Sequence, residues 1–396
     1  MATPHRMSIH LIALGAFALG MASYVTAGLI PLITLSFSIS DAAAAQLVTA
    51  FTLAYGMGSP LVVALLPARH QRDALLAALA LFTLANALSA MAESYPLLLA
   101  WRALAGAAAG VYLALGIAAA AALAGEAGRG KAIATLMGGM ASGTVLGVPL
   151  ALILAERFGW PQALWLITAL GAVAGLGLAA RLPALPAPAP VALVRKLSLL
   201  KHPATLSILG VSLLAAVASL GMYTFIAPFM AVPAFGGVSS IALYLWVWGA
   251  GGIAGSFLIG PLVDRFGDTG VTLIIMALLA LSLLLLPMAA ALHPWLALAP
   301  IMLWGAAGWA LQVPQNNRLM ALRKPHGDAQ LAVALNESAL YLGSALGAAA
   351  GGLWLSASLS IGALALAGAA VAALGALLQL VSMRCEPAPS GESCRV

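Results

Sequence analysis

Two ionisable residues stand inside long apolar runs of the sequence, where a charged group is costly. Arg102 lies about seven residues into a run that covers 96–122, and Glu337 lies about seven residues into a run that covers 330–357. If each run is a helix, such a position is roughly 10 Å along its axis. Charged side chains at that depth in a membrane are rare and mark ion pathways, proton relays or bound ligands. These two residues are therefore the first candidates for chemistry.

The two groups suit different roles. Ionising a carboxylate inside an apolar run is costly, which suits a residue that must bind and release a proton. Glu337 is therefore the candidate proton carrier, and Asn336 is its polar neighbour. An arginine does not deprotonate in a protein, so Arg102 is a candidate for biasing another group or for holding an anionic substrate. The alternatives are a Glu337 that pairs with Arg323 or Lys324 at the helix mouth, and an Arg102 that reaches outward to the membrane surface.

Glycines form a second pattern, with a spacing of four residues. Gly139, Gly143 and Gly147 lie in one apolar run, so in a helix they form a single stripe that lets a neighbouring backbone approach closely. Pro149 then removes one backbone hydrogen bond and permits a bend. We interpret the stripe as a sliding or bending seam between two halves that move, and the alternative is ordinary packing of small residues. The same spacing recurs at Gly343, Gly347 and Gly351.

The composition indicates the environment of these elements. The chain has 396 residues, of which 63% are hydrophobic and 7% are charged, whereas a soluble domain carries about 25% charged residues. A soluble fold of this size cannot bury so much apolar surface, so lipid must surround most of the chain. Continuous runs of about twenty residues match helices that cross a hydrocarbon core of about 30 Å, and they lack the alternation of a membrane barrel. The sequence therefore predicts an all-α polytopic membrane protein.

Twelve such runs can be traced along the chain, separated by short polar segments. The first follows Arg6 and is too long for the apolar core of a signal peptide. The first six cover 10–35, 46–67, 73–92, 96–122, 131–154 and 161–180. The last six cover 204–229, 239–262, 270–291, 294–315, 330–357 and 359–382. They predict twelve transmembrane helices as two six-helix halves.

Lysine and arginine residues indicate the orientation. With the N-terminus inside, 15 of the 17 basic residues fall on the cytoplasmic side, while Arg157 falls outside and Arg102 lies within a run. This bias predicts that both termini are cytoplasmic, and it explains the net charge of +6 without nucleic acid. The cytoplasmic set comprises Arg6, Arg69, Arg72, Arg129, Lys131, Arg181, Arg195, Lys196, Lys201, Arg265, Arg318, Arg323, Lys324, Arg384 and Arg395.

A proline-rich, basic stretch divides the chain. Residues 181–203 contain five prolines and four basic residues, a composition typical of a linker. We therefore expect an N-terminal half at 1–180, a cytoplasmic linker at 181–203, a C-terminal half at 204–383 and a cytoplasmic tail at 384–396. Weak internal matches support two related halves. They pair Pro31 with Pro228, Gly58-Ser59 with Gly255-Ser256, Gly106 with Gly308, and Gly139 with Gly343.

Motifs spread over nearly the whole chain resemble those of one family. Gly28-Leu29-Ile30-Pro31, Arg102 with Gly106, and Gly143 to Pro149 look like its motifs in the first, fourth and fifth helices. Gly260 through Asp264-Arg265-Phe266-Gly267 looks like its second loop motif, and Gln312-Val313-Pro314-Gln315 like its tenth helix. Together these residues resemble the major facilitator superfamily. Within it they resemble the drug:proton antiporter group, which includes arabinose- and sugar-efflux-like and multidrug-efflux-like permeases.

The resemblance implies a fold and a set of site residues. It implies the major facilitator fold, a gate at Asp264 and Arg265, and a cavity lined by helices one, four, seven and ten. Aromatic side chains with few hydrogen-bonding groups suit a lipophilic or weakly polar substrate, and the alternative for each aromatic is packing or an interfacial belt. The expected cavity residues are Tyr24, Thr26, Tyr112, Tyr223, Thr224, Trp304, Trp309, Gln312 and Asn336.

Two departures from the family pattern bear on coupling. The first cytoplasmic loop has Leu66-Pro67-Ala68-Arg69 where the family motif has an aspartate, so the gate charges stand only in the second half. The first helix carries none of the acidic residues that many relatives have there. The proton site of those relatives therefore does not carry over, and Glu337 with Arg102 is the expected coupling pair.

The sequence does not predict an enzyme. The histidines and cysteines have no metal-ligand spacing and no P-loop is present, so we expect no metal, no cofactor and no ATP-driven transport. We expect a monomeric secondary active transporter of the inner membrane, which works by alternating access and exports a small drug, sugar or metabolite in exchange for protons. The alternatives are an uncoupled facilitator or uptake permease on the same fold, and a non-transporting membrane receptor.

Overall fold

Helices form almost the whole of the described chain. The computed structural model describes residues 3–65, 70–185, 202–324 and 329–385, and no strand occurs within those ranges. In lipid every backbone N–H and C=O must be paired inside its own element, and a continuous apolar run achieves this as a helix. The prediction of an all-α membrane protein is confirmed.

The helices follow the apolar runs closely. The earlier ones are α1 (Thr3–Phe37), α2 (Asp41–Leu65), α3 (Gln71–Ala90), α4 (Tyr95–Ser142), a π-helical segment (Gly143–Gly147), α5 (Val148–Phe158) and α6 (Pro161–Arg181). The later ones are α7 (Pro203–Thr224), α8 (Ile226–Ala231), α9 (Ala242–Leu292), α10 (Leu298–Ala310), α11 (Gln312–Arg323), α12 (Ala329–Ser356) and α13 (Ile361–Cys385). Short 3₁₀ turns at Pro233–Phe235 and Pro294–Ala297 join some of them.

Two of these helices each change direction at a glycine. Gly125 in α4 has φ 67° and ψ 178°, and Gly267 in α9 has φ 70° and ψ 161°. A residue with a Cβ rarely adopts such a conformation, so glycine permits the chain to turn there without a longer loop. As a result, α4 and α9 each contain the end of one membrane crossing and the beginning of the next.

The twelve crossings can be counted from helix lengths. Within the described ranges, ten helices are long and apolar enough to cross a membrane, with the segments Tyr95–Gly125 and Gly128–Phe158 counted separately. Helix α9 has 51 residues, which is about 76 Å and more than twice a hydrocarbon core, so it supplies two crossings. Helix α2 has 25 residues and supplies the twelfth.

The described residues divide into two compact units. The first contains those within Met1–Ala192, together with Thr224–Pro228 and Ser239–Trp246. The second contains those within Leu193–Tyr223, Phe229–Val238 and Val247–Val396. Residues 186–201 of the expected linker and 386–396 of the expected tail lie outside the described ranges.

The seventh crossing is broken where the sequence suggested one continuous run at 204–229. Helix α7 ends at Thr224 and α8 begins at Ile226. Pro228 accounts for the break, because proline has no N–H to donate to the carbonyl four residues back, at Thr224, and its ring crowds that carbonyl.

In the first unit, Arg72 anchors the start of α3 to the end of α6. Its Nε donates to the Leu182 carbonyl at 2.8 Å, and its Nη2 donates to the Ala179 carbonyl at 3.2 Å. The last carbonyls of a helix have no partner within the helix and carry partial negative charge, so a guanidinium is a favourable cap. Arg72 thus holds two crossings together.

We predict that reporters fused after Pro190 and at the C-terminus both read cytoplasmic. The basic residues of the chain concentrate on one side, and such residues are retained in the cytoplasm. Paired alkaline phosphatase and fluorescent-protein fusions measure this, with a fusion after Arg157 as the control that should read periplasmic. A periplasmic signal at the C-terminus would contradict an even number of crossings.

Candidate functional site

The glycine stripe of the first unit packs against the backbone of α1. A Cβ at Gly139 would collide with the carbonyl oxygen of Ala13, and a Cβ at Gly143 would collide with that of Phe17. A larger side chain at either position must therefore push two helix backbones apart. The sequence predicts a seam between the two halves, whereas these contacts of the stripe lie within one unit. Spacing shows which residues share a helix face, whereas it does not show which helix that face meets.

The helix is distorted at the same stripe. Residues Gly143–Gly147 are π-helical, and the N–H of Val148 bonds to the Gly143 carbonyl five residues back. Pro149 follows directly and has no N–H, so the ordinary bond to Val145 cannot form. The perturbation expected at Pro149 thus takes the form of a change in hydrogen-bond register. Such π-bulges concentrate at functional positions, which makes this segment a candidate bending point.

The second unit repeats this packing between α12 and α7. A Cβ at Gly343 would press on the Leu213 carbonyl and on the side chain of Ala216. A Cβ at Gly347 would approach the Cα of Gly221 at 2.6 Å, which is closer than side-chain carbons come. The fifth and eleventh crossings therefore use the same device against the first and seventh.

A second pair of glycine contacts corrects the alignment between the two halves of the chain. A Cβ at Gly106 would collide with the Phe51 carbonyl, and in the second unit a Cβ at Gly305 would collide with the Trp248 carbonyl. The packing thus equates Gly106 with Gly305, which are 199 residues apart, and not with Gly308 as the sequence match had it. Glycine is so frequent in both segments that the letters fit either register, and the helix contacts decide between them.

Arg102 is enclosed by α1, α2 and α3 in the first unit. It is 1% exposed, so it does not reach the membrane surface as one alternative required. Its Nη2 donates to the Ala22 carbonyl at 2.7 Å, and its Nη1 donates to Asn86 Oδ1 at 3.3 Å. The ring of Phe51 lies 4.5 Å from the guanidinium carbon and covers one face of the group. Every contact is neutral, so Arg102 sits in a polar but uncharged setting.

The other first-unit candidates do not form one continuous lining. Tyr112 is fully buried, and its hydroxyl donates to the Ile12 carbonyl at 3.0 Å, so it packs α4 against α1. Tyr24 is half-buried, whereas Thr26 and Thr224 are buried. The Thr26 hydroxyl has no hydrogen-bond partner within the described residues.

Four aromatic rings meet inside the second unit. Trp248 lies at the centre, with ring centroids 4.7 Å from Tyr223, 6.3 Å from Trp304 and 5.8 Å from Trp309. Trp304 is fully buried and its indole N–H donates to Ser219 Oγ at 2.7 Å, while Trp309 is half-buried. The packing therefore joins three predicted cavity residues to a fourth ring that the sequence analysis missed.

Trp248 was missed because the resemblance directed attention to helices one, four, seven and ten, and Trp248 lies on the eighth crossing. A signal was present in the sequence. Trp248 comes three residues before Gly251, a spacing that puts both on one face of a helix. In the structure that face meets α10, because a Cβ at Gly251 would collide with the Met302 carbonyl. Trp248 lies one turn along the same face, so it faces the same neighbouring helix.

Glu337 and Gln312 are brought together in the second unit. The amide Nε2 of Gln312 donates to Glu337 Oε1 at 3.2 Å, and Glu337 is half-buried. The partner of this carboxylate is thus a neutral amide, in place of Arg323 or Lys324 as the alternative proposed. Asn336 is fully buried and donates to Asn316 Oδ1 at 2.9 Å. Two adjacent polar residues of α12 therefore both bond to α11.

Helix α11 carries a polar network that the sequence analysis did not single out. Gln315 is fully buried and donates to the Ile208 carbonyl at 2.9 Å and to Ser212 Oγ at 3.1 Å. Arg318 is buried and donates to Gln379 Oε1 of α13 at 2.9 Å, whereas the sequence analysis used it only as a cytoplasmic charge. The run Gln312 to Arg318 contains five polar residues in seven, and that density in an apolar chain was the available signal.

The expected gate residues lie at the turn of α9. Asp264 and Arg265 are both exposed, and the guanidinium carbon of Arg265 lies 5.2 Å from the ring of Phe266. The nearby Asp268 accepts a hydrogen bond from Asn317 at 3.1 Å, which ties the turn to α11. The gate role of Asp264 and Arg265 stays a prediction.

Comparisons with known proteins agree with this architecture. A model of the Major Facilitator Superfamily matches residues 12–329. The chain is 33% identical over 381 residues to the inner membrane transport protein YdhP of Escherichia coli (strain K12), covering 95% of this chain and 96% of that protein. It is 32% identical over 263 residues to a chloramphenicol resistance protein of Streptomyces lividans, covering 65% and 67%.

The fold agrees as well. The solved structure of the xylose transporter XylE from E. coli superposes with a TM-score of 0.74 at 17% identity, over 99% of this chain and 100% of that chain. One assignment accounts for the twelve crossings in two six-helix halves, the paired glycine contacts and the family match over residues 12–329. The chain belongs to the Major Facilitator Superfamily, a family of membrane transporters, and not of enzymes, that handle small-molecule substrates.

Proposed function

We propose that the protein is a secondary active transporter of the inner membrane that exports a small lipophilic or weakly polar molecule in exchange for protons. It works by alternating access, as a monomer with both termini in the cytoplasm. Glu337 carries the proton, and the single observation that supports this most is its hydrogen bond with Gln312 in place of an ion pair.

The neutral partner is what makes Glu337 suitable. A nearby cation would hold the carboxylate in its ionised form, whereas an amide has both a donor and an acceptor and can serve either protonation state. The ionised carboxylate accepts from the amide N–H, and the protonated carboxyl donates to the amide oxygen after the amide turns over. Protonation then changes the balance between two conformations if they solvate the group differently.

The aromatic cluster and one relative support the substrate class and the direction. The rings of Tyr223, Trp248, Trp304 and Trp309 form an apolar cluster with few polar groups, of which Trp309 is the half-buried member, and such a surface suits a lipophilic or weakly polar molecule. One relative is named for chloramphenicol resistance, which favours export. An uncoupled facilitator or uptake permease is the second candidate, favoured by the absence of an acidic residue in α1.

A substrate screen in inverted membrane vesicles tests this proposal. Inversion places the cytoplasmic face outside, so an exporter accumulates substrate inside the vesicle. Accumulation that appears when the lumen is acidified and collapses with a protonophore supports proton-coupled export. Equal entry with and without the pH gradient supports the facilitator, and uptake that requires an acid exterior supports the permease.

We predict that Trp309→Ala raises the apparent KM for transport about three- to tenfold while the maximal rate changes little. A stacking contact with an aromatic ring contributes about 0.5–1.5 kcal/mol, and a tenfold change corresponds to about 1.4 kcal/mol. Initial-rate measurements at several substrate concentrations check this. The matched control is Trp165→Ala, an exposed tryptophan of α6. A KM unchanged in Trp309→Ala would place the substrate elsewhere.

A further inference from the structure

Arg102 has no counter-ion among the residues that the structure describes. Its contacts are the Ala22 carbonyl, the Asn86 amide oxygen and the Phe51 ring, and no carboxylate lies within 4.0 Å of it. Helix α1 contains no Asp or Glu. A fully buried guanidinium without a negative partner is strongly disfavoured, because an unpaired charge loses its hydration.

The acidic residues of the surrounding helices are too distant to supply that partner. Asp41 begins α2, ten residues before Phe51, which corresponds to about 15 Å along the helix. Asp73 lies in the first turn of α3 and already pairs with Arg72 at 3.4 Å. Asn86, which Arg102 does contact, lies thirteen residues beyond Asp73, or about 20 Å along that helix. The charge of Arg102 therefore requires a partner that the described helices do not provide.

Unused donors mark where such a partner would lie. A guanidinium has five N–H groups, and the two hydrogen bonds that Arg102 donates through Nη1 and Nη2 leave its Nε–H without a partner. The Thr26 hydroxyl is also buried and unpartnered. Ala22 and Thr26 are one helical turn apart, and a helix carbonyl points toward the residue four positions later. The guanidinium that bonds to the Ala22 carbonyl is therefore directed toward the turn that carries Thr26.

We propose that Arg102 and Thr26 bind a small monovalent anion inside the first unit. The anion accepts from the Nε–H of Arg102 and from the hydroxyl of Thr26, and its charge neutralises the guanidinium. A small species is favoured because Phe51 covers one face of the group and Arg102 is only 1% exposed. Chloride and the carboxylate of a small organic acid share this chemistry. The site does not depend on proton coupling, so failure of the proposed function leaves it untouched.

Thermal unfolding of the purified protein tests the anion site. Chloride is titrated at constant ionic strength against gluconate, an anion too large for the site, and acetate is titrated in a parallel series. A ligand that binds the folded state raises the unfolding midpoint with a saturable dependence on its concentration. We expect such a rise with chloride, and a rise with acetate as well would show that the site also takes carboxylates.

Two variants and their controls tie the effect to these residues. Thr26→Val keeps the shape and removes one hydrogen bond to a charged group, so the chloride concentration for half-maximal effect should increase about tenfold. Arg102→Gln should abolish the dependence. Arg157→Gln removes an exposed arginine and Thr168→Val removes a hydroxyl that donates to its own helix, and both should behave as the parent.

The outcomes separate clearly. Equal unfolding midpoints in chloride, acetate and gluconate would overturn the proposal and leave water as the partner of both groups. A chloride effect that Thr26→Val does not weaken would also overturn it, even if Arg102→Gln does not fold. A saturable effect weakened in Thr26→Val and retained in both controls would establish the site.

Discussion

Replacing Glu337 with glutamine is expected to abolish accumulation against a gradient while downhill exchange continues at a reduced rate. The substitution keeps the size of the side chain and its hydrogen bond with Gln312, but it removes the proton that the carboxylate carries. Without that proton, the pH gradient has no group through which to favour one conformation over the other. The accumulated substrate should fall to the level of protein-free vesicles, whereas exchange of labelled for unlabelled substrate should persist.

Glu156→Gln is the matched control for that experiment. Glu156 is an exposed acid near the end of α5, so its loss removes one carboxylate without touching the interior of the helices. This variant should accumulate substrate as the parent does. If Glu337→Gln also accumulates substrate normally, then Glu337 is structural, and the protein is either uncoupled or coupled through another group. Asp41, at the start of α2, would be the next residue to replace.

Replacing Gly143 with leucine is expected to produce an inserted protein that transports at least roughly tenfold more slowly. A Cβ alone at this position would collide with the Phe17 carbonyl, so leucine must displace α1 from the π-helical segment. Overpacking of this kind costs about 1–3 kcal/mol, and about 1.4 kcal/mol in a barrier is already a tenfold change in rate. Gly143→Ala should show a smaller loss in the same direction, together with a lower unfolding midpoint.

Gly138→Leu controls for the loss of a glycine in the same helix. Gly138 is exposed, and no atom lies within 4 Å of the position that its Cβ would occupy. Surface expression, unfolding midpoint and initial transport rate should therefore be close to those of the parent. Normal transport by a fully expressed Gly143→Leu would show that the stripe is ordinary packing with no role in movement.

The sequence predicted the fold because the physics of lipid leaves few choices. A run of twenty apolar residues can only be a helix there. The exceptions have local causes. Pro228 breaks the seventh crossing, and Gly125 and Gly267 turn the chain so tightly that single helices run through two crossings.

The candidate site was less predictable because it depends on which faces meet. The four-residue spacing showed that Gly139 and Gly143 share a face, but only the packing shows that this face meets α1. The pairing of Glu337 with Gln312 was likewise hidden, because 25 residues separate them and two basic residues were nearer in the chain. The spacing of Trp248 from Gly251 placed it on a helix face, but only the packing shows that its ring meets three other aromatic rings.

The internal match illustrates the same limit. Gly106 aligns with Gly305 or with Gly308 equally well as letters, and the collision of each added Cβ with a carbonyl of the partner helix selects Gly305. The chain has 41 glycines, so a match between two of them carries little information unless both make equivalent contacts with a neighbouring helix.

The central claim is that the protein exchanges substrate for protons. It is tested most directly by recording the lumenal pH of sealed proteoliposomes while substrate is added outside. No pH gradient is imposed, so any change must come from coupled movement. If the protein exchanges substrate for protons, substrate entry should drive protons out and the lumen should become alkaline, and Glu337→Gln should show no change. Substrate entry without a change in lumenal pH, or with acidification, would contradict proton antiport and favour the facilitator or the uptake permease.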